Sequence, residues 1–584
     1  MTEYSPPLRD MRFCLHEMGL TDRARALPGF EEIGAELADA ILEESGKFAA
    51  EVLAPLNRVG DTEGARLENG VVRAPTGFAE AYKSFVEGGW ASLPFSPEHG
   101  GQGLPWLLAA AAQEMWLSAN TAWSLCQLLT TGAVELLDEF GTDTQKATYL
   151  EKLISGTWPG TMNLTEPQAG SDLGALRSKA EPKDDHYLIS GQKIFITYGE
   201  HDMAENIIHF VLARTPDAPD GPKGISLFIV PKFLVNEDGT LGERNDLRCL
   251  SLEEKLGIHG SPTCVMSFGD DGGSVGYLVG KENEGLAAMF TMMNNARLNI
   301  GISGLAIAER AYQQALAYAK ERQQFGPIIR HPDIRRMLMT MKSQIEAMRA
   351  VTYDAALALD AAKRIEDKSA RADAQARIDL LIPMIKAWCT DLGVEISSLA
   401  LQVHGGTGFI EETGIAQHYR DARIAPIYEG TNGIQALDLI GRKVLRDKGA
   451  AMNAYIGEAR SQLAEIAGNG ATRNASITDA AYDALDQLEA TTTWLIENAT
   501  ADPTPAFAGA NAYLRLFGTV AGAVMLARAT AIATDAEDGP DGFYAAKRTT
   551  AAFYADHVLP QISGLRHAIE KGHETVMALA DEAF

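Results

Sequence analysis

The stretch Ala425-Pro426-Ile427-Tyr428-Glu429-Gly430-Thr431-Asn432 follows three long segments of helical character and precedes a short fourth one that starts near Gly433. We predict the long helices over about 286–323, 333–364 and 372–403. Long helices joined by short links are typical of a four-helix bundle. The quoted stretch therefore leads into the last helix of a predicted bundle, and Gly430 permits a tight backbone turn there.

Upstream of the bundle, the hydrophobic pattern changes from helical to strand-like. Short β-prone runs bounded by Gly, Pro or Asp occur at 187–189, 193–197, 207–212 and 225–230. Residues 30–160 have a helical pattern, and an Ala-rich helical stretch follows residue 450. The predicted fold class is mainly α with a central β-domain, and the predicted domains are 1–160, 161–280, 281–450 and 451–584.

Composition and charge exclude several classes of protein. The net charge of −27 repels nucleic acid and anionic membrane surfaces, whose binding depends on Lys and Arg. The five cysteines show no CxxC spacing, so neither a zinc site nor a redox dithiol is predicted, and no other metal-ligand set is evident. We find no signal-peptide pattern and no uninterrupted apolar run of membrane-spanning length, which predicts a cytoplasmic protein.

Three more motifs accompany the opening stretch, in a fixed order along the chain. They are Leu164-Thr165-Glu166-Pro167-Gln168-Ala169-Gly170-Ser171-Asp172, Glu321-Arg322-Gln323-Gln324-Phe325-Gly326 and Gln402-Val403-His404-Gly405-Gly406-Thr407-Gly408-Phe409. With residues 419–432, they resemble the motifs of the acyl-CoA dehydrogenase family over roughly residues 35–445. The resemblance implies an N-terminal helical domain, a β-barrel-like middle domain and a four-helix bundle, to which this chain adds a C-terminal helical domain.

The reaction of this family explains why a carboxylate is needed. Removal of a proton α to a thioester requires a base, and the carbonyl oxygen requires hydrogen-bond donors where negative charge develops. The resemblance assigns the base to Glu429 and one donor to its main-chain N–H. It also places Ser171, Arg297 and Gly430 beside the acyl-CoA. Taken alone, a glutamate is usually a solvated surface charge, and Arg297 could equally form an ion pair on a helix surface.

The resemblance also implies an FAD cofactor. From the β-domain, the matching positions are Leu164, Thr165, Ser171, Phe195 and Thr197. The matching positions of the bundle are Arg322, Phe325, Gln402, Gly405, Gly406 and Thr431. All of these bundle positions except Thr431 resemble residues that reach the FAD of a neighbouring subunit, which implies a homodimer or a dimer of dimers. Arg322 would supply charge for the pyrophosphate, whereas Gly405-Gly406 alone would be only a helix C-cap.

The N-terminal segment and the extra C-terminal domain resemble a longer bacterial branch of the family. This branch implies dehydrogenation of 3-(methylthio)propionyl-CoA to 3-(methylthio)acryloyl-CoA in dimethylsulfoniopropionate catabolism, with an electron-transfer flavoprotein as acceptor. Two groups of methionines would suit a thioether substrate, although flexible core packing is the commoner reason for them: Met289, Met292, Met293, Met337, Met339 and Met341.

Three alternatives remain open. They are a general short- or medium-chain fatty acyl-CoA dehydrogenase, an acyl-CoA oxidase, and a DNA-associated flavoprotein of the same fold. The last requires a basic groove, whereas the C-terminal domain carries several acidic residues, which are Glu489, Asp535, Glu537, Asp538 and Asp541.

Overall fold

The computed structural model describes residues 3–468, 475–499 and 502–584, and most of them are helical. The longer helices are Ala35–Lys47, Ala54–Glu63, Phe78–Glu87, Trp106–Ala119, Thr121–Phe140, Asp143–Ile154, Gly285–Glu321, Pro332–Arg364, Lys368–His404, Ile415–Ala422, Asn432–Asp438, Ala450–Gly468, Ala475–Asn498, Ala510–Asp535, Phe543–Phe553 and Gln561–Val576, and the shorter α-helices are Leu8–Arg12, Leu20–Arg25 and Thr504–Ala508. The predicted fold class is confirmed, and the predicted bundle helices agree with the observed ones to within a few residues.

Two compact units divide the chain. The β unit consists of Lys47–Leu104 and Ala119–Asn299. The helical unit consists of Met1–Gly46, Pro105–Ser118 and Ile300–Phe584. This division does not follow the four predicted domains, whose limits stay predictions.

The β unit is built around an eight-stranded sheet. The strands of the whole β unit, in chain order, are β1 Arg66–Glu68, β2 Val71–Arg73, β3 Gly160–Asn163, β4 Lys179–Lys183, β5 His186–Thr197, β6 Ile208–Ala213, β7 Ser226–Pro231, β8 Phe233–Val235, β9 Leu241–Arg244, β10 Leu247–Leu252, β11 Thr263–Phe268 and β12 Ser274–Val279. The sheet has the order β10-β11-β5-β12-β7-β6-β3, with β4 on β5, while β1-β2 and β8-β9 are separate hairpins. All pairs are antiparallel except β3 with β6.

Two expectations for this unit need correction. Residues 66–73 form the β1-β2 hairpin within residues 30–160, for which a helical pattern was predicted. The predicted strands at 187–189 and 193–197 are a single strand, β5, because β5 pairs with β4 and β12 near its start and with β11 near its end.

Close contact between glycine-bearing helices characterises the bundle in the helical unit. A Cβ atom added at Gly301 would lie 2.6 Å from Ile385 Cγ2, and one at Gly304 would lie 2.4 Å from the Cys389 carbonyl oxygen. Residues 300–321 therefore pack backbone to backbone against helix Lys368–His404. Arg349 lies in the same interior, where its guanidinium donates to both carboxylate oxygens of Glu114.

Helix Ala510–Asp535 has no uninterrupted apolar run of membrane-spanning length, because Arg515 and Arg528 interrupt it, but as a whole it is a candidate membrane span. By length and hydropathy it qualifies, and it is the one such helix within the described residues. However, 83% of its most apolar window is buried in the protein. A Cβ atom at Gly518 would lie 2.4 Å from the Trp388 ring, so this helix packs directly on helix Lys368–His404. It therefore has the environment of a core helix.

Candidate active site

Four residues that were predicted to contact a cofactor lie side by side in the β unit. They are Leu164, Thr165, Phe195 and Thr197. The N–H of Ile194 donates to the Thr165 carbonyl oxygen over 2.9 Å. Nearby, Thr161 Oγ1 donates to the Thr197 carbonyl oxygen over 2.8 Å. These bonds hold the segment that follows β3 against the end of β5, and we call these four residues the flavin-loop cluster.

Phe195 occupies a β-bulge with an unusual backbone conformation. Met266 of β11 pairs with Lys193 and Cys264 pairs with Ile196, so two residues of β5 face one residue of β11. Phe195 has φ +60°, and the residue is 58% exposed. Bulges reorient side chains near active sites, and a left-handed non-glycine residue costs about 1–3 kcal/mol, so it persists only where its surroundings impose it. The protein therefore maintains an outward-facing aromatic ring at an energetic cost, as a ligand platform would require.

A buried ion pair stabilises the flavin-loop cluster. Lys193 is completely buried, and its Nζ donates to Glu166 Oε1 over 2.8 Å and to the Leu164 carbonyl oxygen over 3.1 Å. Glu166 also accepts hydrogen bonds from the N–H and Oγ of Ser178. Burial opposes ionisation of Glu166, but the charge of Lys193 and these bonds outweigh it, so its pKa falls to about 2. Burial lowers the pKa of Lys193 to about 8.

Ser171 and Arg297 occupy different environments in the β unit. Ser171 is exposed in the loop that connects β3 and β4. Arg297 is only 5% exposed, donates to Asn294 Oδ1 over 3.2 Å and stands over the Phe290 ring at 5.9 Å. Arg297 is therefore buried and does not lie on a helix surface, while an ion pair stays open as the alternative. A role at the substrate stays a prediction for both residues.

Five predicted cofactor contacts of the helical unit gather where two long helices end. They are Arg322, Phe325, Gln402, Gly405 and Gly406, which we call the helix-end cluster, and all five are exposed. The Tyr318 ring stacks on His404 with ring centroids 4.3 Å apart, and its hydroxyl lies 2.9 Å from Thr407 Oγ1. These contacts join the end of helix Gly285–Glu321 to the end of helix Lys368–His404.

Within the helix-end cluster, side chains point away from the protein. Phe325 is fully exposed and has φ +55°. Gly405 caps helix Lys368–His404 with φ +59°, and a Cβ atom there or at Gly406 would meet open space. Over the part of the chain that the structure describes, no ion pair of Arg322 is found. An unshielded arginine beside open glycines is suited to an anionic partner.

The predicted base, Glu429, lies in a strained turn. Its φ is +56° and that of Gly430 is +84°, so two consecutive residues are left-handed, and only the second is a glycine. Thr431 caps helix Asn432–Asp438, because its side chain accepts a hydrogen bond from the N–H of Ile434. Burial and the adjacent charge of Glu429 raise the pKa of Tyr428 well above its usual range.

Two buried side chains hold the carbonyl oxygens of this turn. Lys386 Nζ donates to the Gly430 carbonyl oxygen over 2.8 Å and to Asn432 Oδ1 over 2.8 Å. Gln435 Nε2 donates to the carbonyl oxygens of Glu429 and Gly430 over 3.3 and 3.4 Å. Lys386, Gln435 and Asn432 are at most 8% exposed.

Sequence reasoning did not identify the contacts of Lys386, Gln435 and Asn432 with the Glu429–Gly430 turn, nor the Glu166–Lys193 ion pair. One signal was available, since Lys386 stands in the apolar run Leu380-Leu381-Ile382-Pro383-Met384-Ile385-Lys386-Ala387-Trp388. A lysine inside such a run is rarely fully buried unless it is paired. No group of three or more His, Cys, Asp or Glu side chains is placed to hold a metal ion within residues 3–468, 475–499 and 502–584.

Comparison with known proteins identifies the family of this chain. Four family models match in order: acyl-CoA dehydrogenase N-terminal domain (residues 36–157), middle domain (161–270) and C-terminal domain (283–445), and acetyl-CoA dehydrogenase C-terminal like (450–580). The chain belongs to the acyl-CoA dehydrogenase family. It is therefore an oxidoreductase that acts on the CH–CH bond of acyl-CoA thioesters.

Two curated relatives cover nearly the whole chain. The 3-methylmercaptopropionyl-CoA dehydrogenase of Ruegeria pomeroyi is 48% identical over 574 residues, which span 96% of this chain and 97% of the relative. A butyryl-CoA dehydrogenase of Syntrophomonas wolfei is 35% identical over an alignment of 617 positions, gaps included, which spans 100% of this chain and 99% of the relative. Both matches include the helices that follow residue 450.

Solved structures extend the comparison to the fold. An acyl-CoA dehydrogenase of Bacillus anthracis complexed with FAD has a TM-score of 0.76 at 20% identity, covering 96% of this chain and 92% of that one. A structure described as the electron transferring flavoprotein of Acidaminococcus fermentans has a TM-score of 0.59 at 28% identity, covering 71% of this chain and 99% of that one. Membership of the acyl-CoA dehydrogenase family implies an FAD cofactor, whereas the Bacillus anthracis neighbour shows the fold alone.

Proposed function

We propose that this enzyme oxidises 3-(methylthio)propionyl-CoA to 3-(methylthio)acryloyl-CoA in dimethylsulfoniopropionate catabolism, with Glu429 as the base. The left-handed Glu429–Gly430 turn carries the proposal, because a non-glycine residue keeps this conformation only where its surroundings impose it. The choice of substrate is supported by the 48% identity to the Ruegeria pomeroyi relative along 96% of this chain.

In this proposal each site residue has a separate task. The Glu429 carboxylate removes the α proton of the thioester, and its own main-chain N–H stabilises the charge that develops on the thioester oxygen. Gly430 allows the acyl-CoA to approach the backbone closely. Ser171 and Arg297 contribute to binding the acyl-CoA. The proton stays on Glu429, and a trans-2-enoyl-CoA forms as the β hydrogen leaves as hydride.

The residues of both clusters fit FAD. Phe195 presents an exposed ring to a flat aromatic system, and Thr165 and Thr197 present half-buried backbone and hydroxyl groups beside it. Arg322 offers a charge for the pyrophosphate. The residues that would hold FAD are Leu164, Thr165, Ser171, Phe195, Thr197, Arg322, Phe325, Gln402, Gly405, Gly406 and Thr431. When bound, FAD supplies the acceptor for the hydride that leaves the β carbon.

The proposal includes assembly and electron transfer. The exposed helix-end cluster supports a homodimer or dimer of dimers, in which it contacts the FAD of a neighbouring subunit. We propose an electron-transfer flavoprotein as the acceptor of the electrons and the cytoplasm as the location. We also retain the four-part division at residues 160, 280 and 450 as a proposal.

A general short-chain fatty acyl-CoA dehydrogenase is the second candidate. The observation that favours it is the 35% identity to a butyryl-CoA dehydrogenase along the full chain. The two candidates share the base, the cofactor and the products, and they differ only in the acyl chain. Substrate preference therefore separates them.

The test uses the purified, FAD-containing enzyme without oxygen. Wild type and Glu429→Gln are mixed with 3-(methylthio)propionyl-, pentanoyl-, butyryl- and palmitoyl-CoA, and the loss of flavin absorbance is followed. Pentanoyl-CoA is the matched control, since its chain is as long but has no sulfur. We expect Glu429→Gln to keep FAD and bind acyl-CoA but to bleach ~10²–10⁴-fold more slowly.

For the wild type, we expect the highest rate with 3-(methylthio)propionyl-CoA. A fitted apolar pocket discriminates by roughly 10–200-fold for each methylene, so palmitoyl-CoA should be a poor substrate. Bleaching of Glu429→Gln at the wild-type rate would show that another residue is the base. A preference for butyryl- over 3-(methylthio)propionyl-CoA would select the second candidate.

A further inference from the structure

Lys386 has an unusual location for a charged side chain. It lies in the middle of helix Lys368–His404 and is completely buried. Its ammonium group reaches across to the Glu429–Gly430 turn, where it donates to the Gly430 carbonyl oxygen and to Asn432 Oδ1, both over 2.8 Å. Hydrogen bonds from a charged donor are stronger than neutral ones, particularly away from water. Lys386 thus ties the turn to a rigid helix.

Asn432 completes the connection between the turn and the helix. Its Nδ2 donates to Asp391 Oδ1 over 2.7 Å, to Thr390 Oγ1 over 3.0 Å and to the Ala387 carbonyl oxygen over 3.2 Å. These acceptors all lie on helix Lys368–His404, so the amide is fixed with its oxygen towards Lys386. The residue two positions after Gly430 is therefore anchored through both polar atoms of its side chain.

The hydrogen bonds from Lys386 and Gln435 restrict the backbone conformation of Glu429. Lys386 and Gln435 both bind carbonyl oxygens, which fixes the orientation of the peptide planes on the C-terminal side of Glu429. Since Glu429 has φ +56° without being glycine, the turn would relax if these bonds were lost. Relaxation would move the carboxylate and redirect the N–H groups of the turn.

We infer that Lys386, assisted by Gln435, is a positioning residue that holds Glu429 in its left-handed conformation for proton removal. The inference rests on the proposed role of Glu429 as the base. It predicts a loss in the chemical step with little change in substrate binding, because Lys386 is completely buried and contacts the turn from inside the protein. Displacement of a catalytic group by about 1 Å can reduce a rate by ~10²-fold.

The experiment compares Lys386→Met with a matched control, Lys547→Met. Lys547 is another buried lysine of the helical unit, paired with Glu346 over 3.2 Å and with Asp10, and it is not part of the proposed site. Methionine keeps the apolar stem in both variants. FAD content, thermal midpoint, the dissociation constant of 3-(methylthio)propionyl-CoA and the anaerobic bleaching rate are measured on each holoenzyme.

We expect Lys386→Met to bleach ~10²-fold more slowly with an unchanged dissociation constant and FAD content, and Lys547→Met to bleach as wild type does. Equal bleaching rates in the two variants would overturn the inference. If Lys386→Met does not fold, Gln435→Met decides by the same comparison, since it removes the other donor to the Gly430 carbonyl oxygen and the donor to the Glu429 carbonyl oxygen. A slow Glu429→Gln with a fast Lys386→Met refutes only the positioning role, whereas a fast Glu429→Gln refutes the base itself.

Discussion

Glu166 and Lys193 are both ionised between about pH 2 and pH 8, which is the range in which their ion pair supports the flavin-loop cluster. The folded-state pKa of Glu166 is lower than its usual value of 4.5. Folding therefore gains stability from this carboxylate above pH 4.5 and loses it as the pH falls towards about 2. The difference of about 2.5 pH units corresponds to about 3 kcal/mol at most.

Glu166→Gln tests this pH dependence. The wild-type free energy of unfolding should fall between pH 4.5 and 2 by up to about 3 kcal/mol more than that of Glu166→Gln. Glu51→Gln, at an exposed glutamate, is the control and should follow the wild type. Denaturant unfolding of the holoenzyme at several pH values measures the difference. Identical slopes for wild type and Glu166→Gln would contradict the role of the pair.

At this scale, the sequence could identify residues but not their conformations. Phe195 and Glu429 were predicted through resemblance to family motifs. Their left-handed backbones were not predicted, because one depends on the register of β5 against β11 and the other on bonds from a distant helix. Lys386 was missed for the same reason, since its function depends on a turn that lies far along the chain.

At the scale of secondary structure, glycines allow the bundle helices to pack closely. A methyl group at Gly304 would meet the Cys389 carbonyl oxygen at 2.4 Å, and this backbone atom cannot move aside as a side chain can. Gly304→Ala should therefore destabilise the fold by ~1–3 kcal/mol, as overpacking does. It should also slow bleaching, because helix Lys368–His404 carries Lys386.

Gly457→Ala is the control for this substitution. Gly457 lies on the exposed face of helix Ala450–Gly468, and a methyl group there would meet no atom within 4 Å. Alanine should stabilise this helix by up to ~1 kcal/mol, since it restricts the unfolded chain. Thermal and denaturant unfolding of both variants provide the measurement. Equal effects of the two substitutions would contradict close packing at Gly304.

Helices were easier to predict than strands for a physical reason. The long bundle helices show an apolar period over many turns, so their limits were found to within a few residues. Strand β4, Lys179-Ala180-Glu181-Pro182-Lys183, has no apolar pattern, because it lies at an edge and pairs only with β5 among the strands of the sheet. In β10, buried and exposed residues alternate only near its start. This alternation is too short to identify a strand from the sequence.

At the scale of the whole molecule, the chain divides differently from its sequence pattern. Residues after 450 are predicted as a domain of their own, and they belong to the same compact unit as residues 300–450. Tyr554 donates to the Thr519 carbonyl oxygen over 2.9 Å, and Arg515 binds Glu395 of the bundle. Apolar helices of similar composition follow one another along this part of the chain. Composition alone therefore cannot show which of them pack together.

The helix-end cluster leads to a prediction about assembly. Phe325 is fully exposed and Phe409 is 90% exposed. Large apolar side chains grouped at a surface usually mark an interface. If this surface meets the FAD of a second subunit, light scattering should show at least a dimer in the active enzyme. Arg322→Ala should weaken FAD binding by ~10–100-fold, the equivalent of about 1.5–3 kcal/mol for a hydrogen bond to a charged group.

The measurement is the flavin absorbance that remains with the protein after gel filtration, compared with Glu429→Gln as the control. Glu429→Gln alters the base and should retain FAD, whereas Arg322→Ala should lose it progressively on dilution. Added FAD should restore bleaching in Arg322→Ala, because its base turn is intact. This rescue distinguishes a binding defect from a chemical one. A fully active monomer, or an Arg322→Ala variant with undiminished flavin content, would show that the exposed cluster has another role.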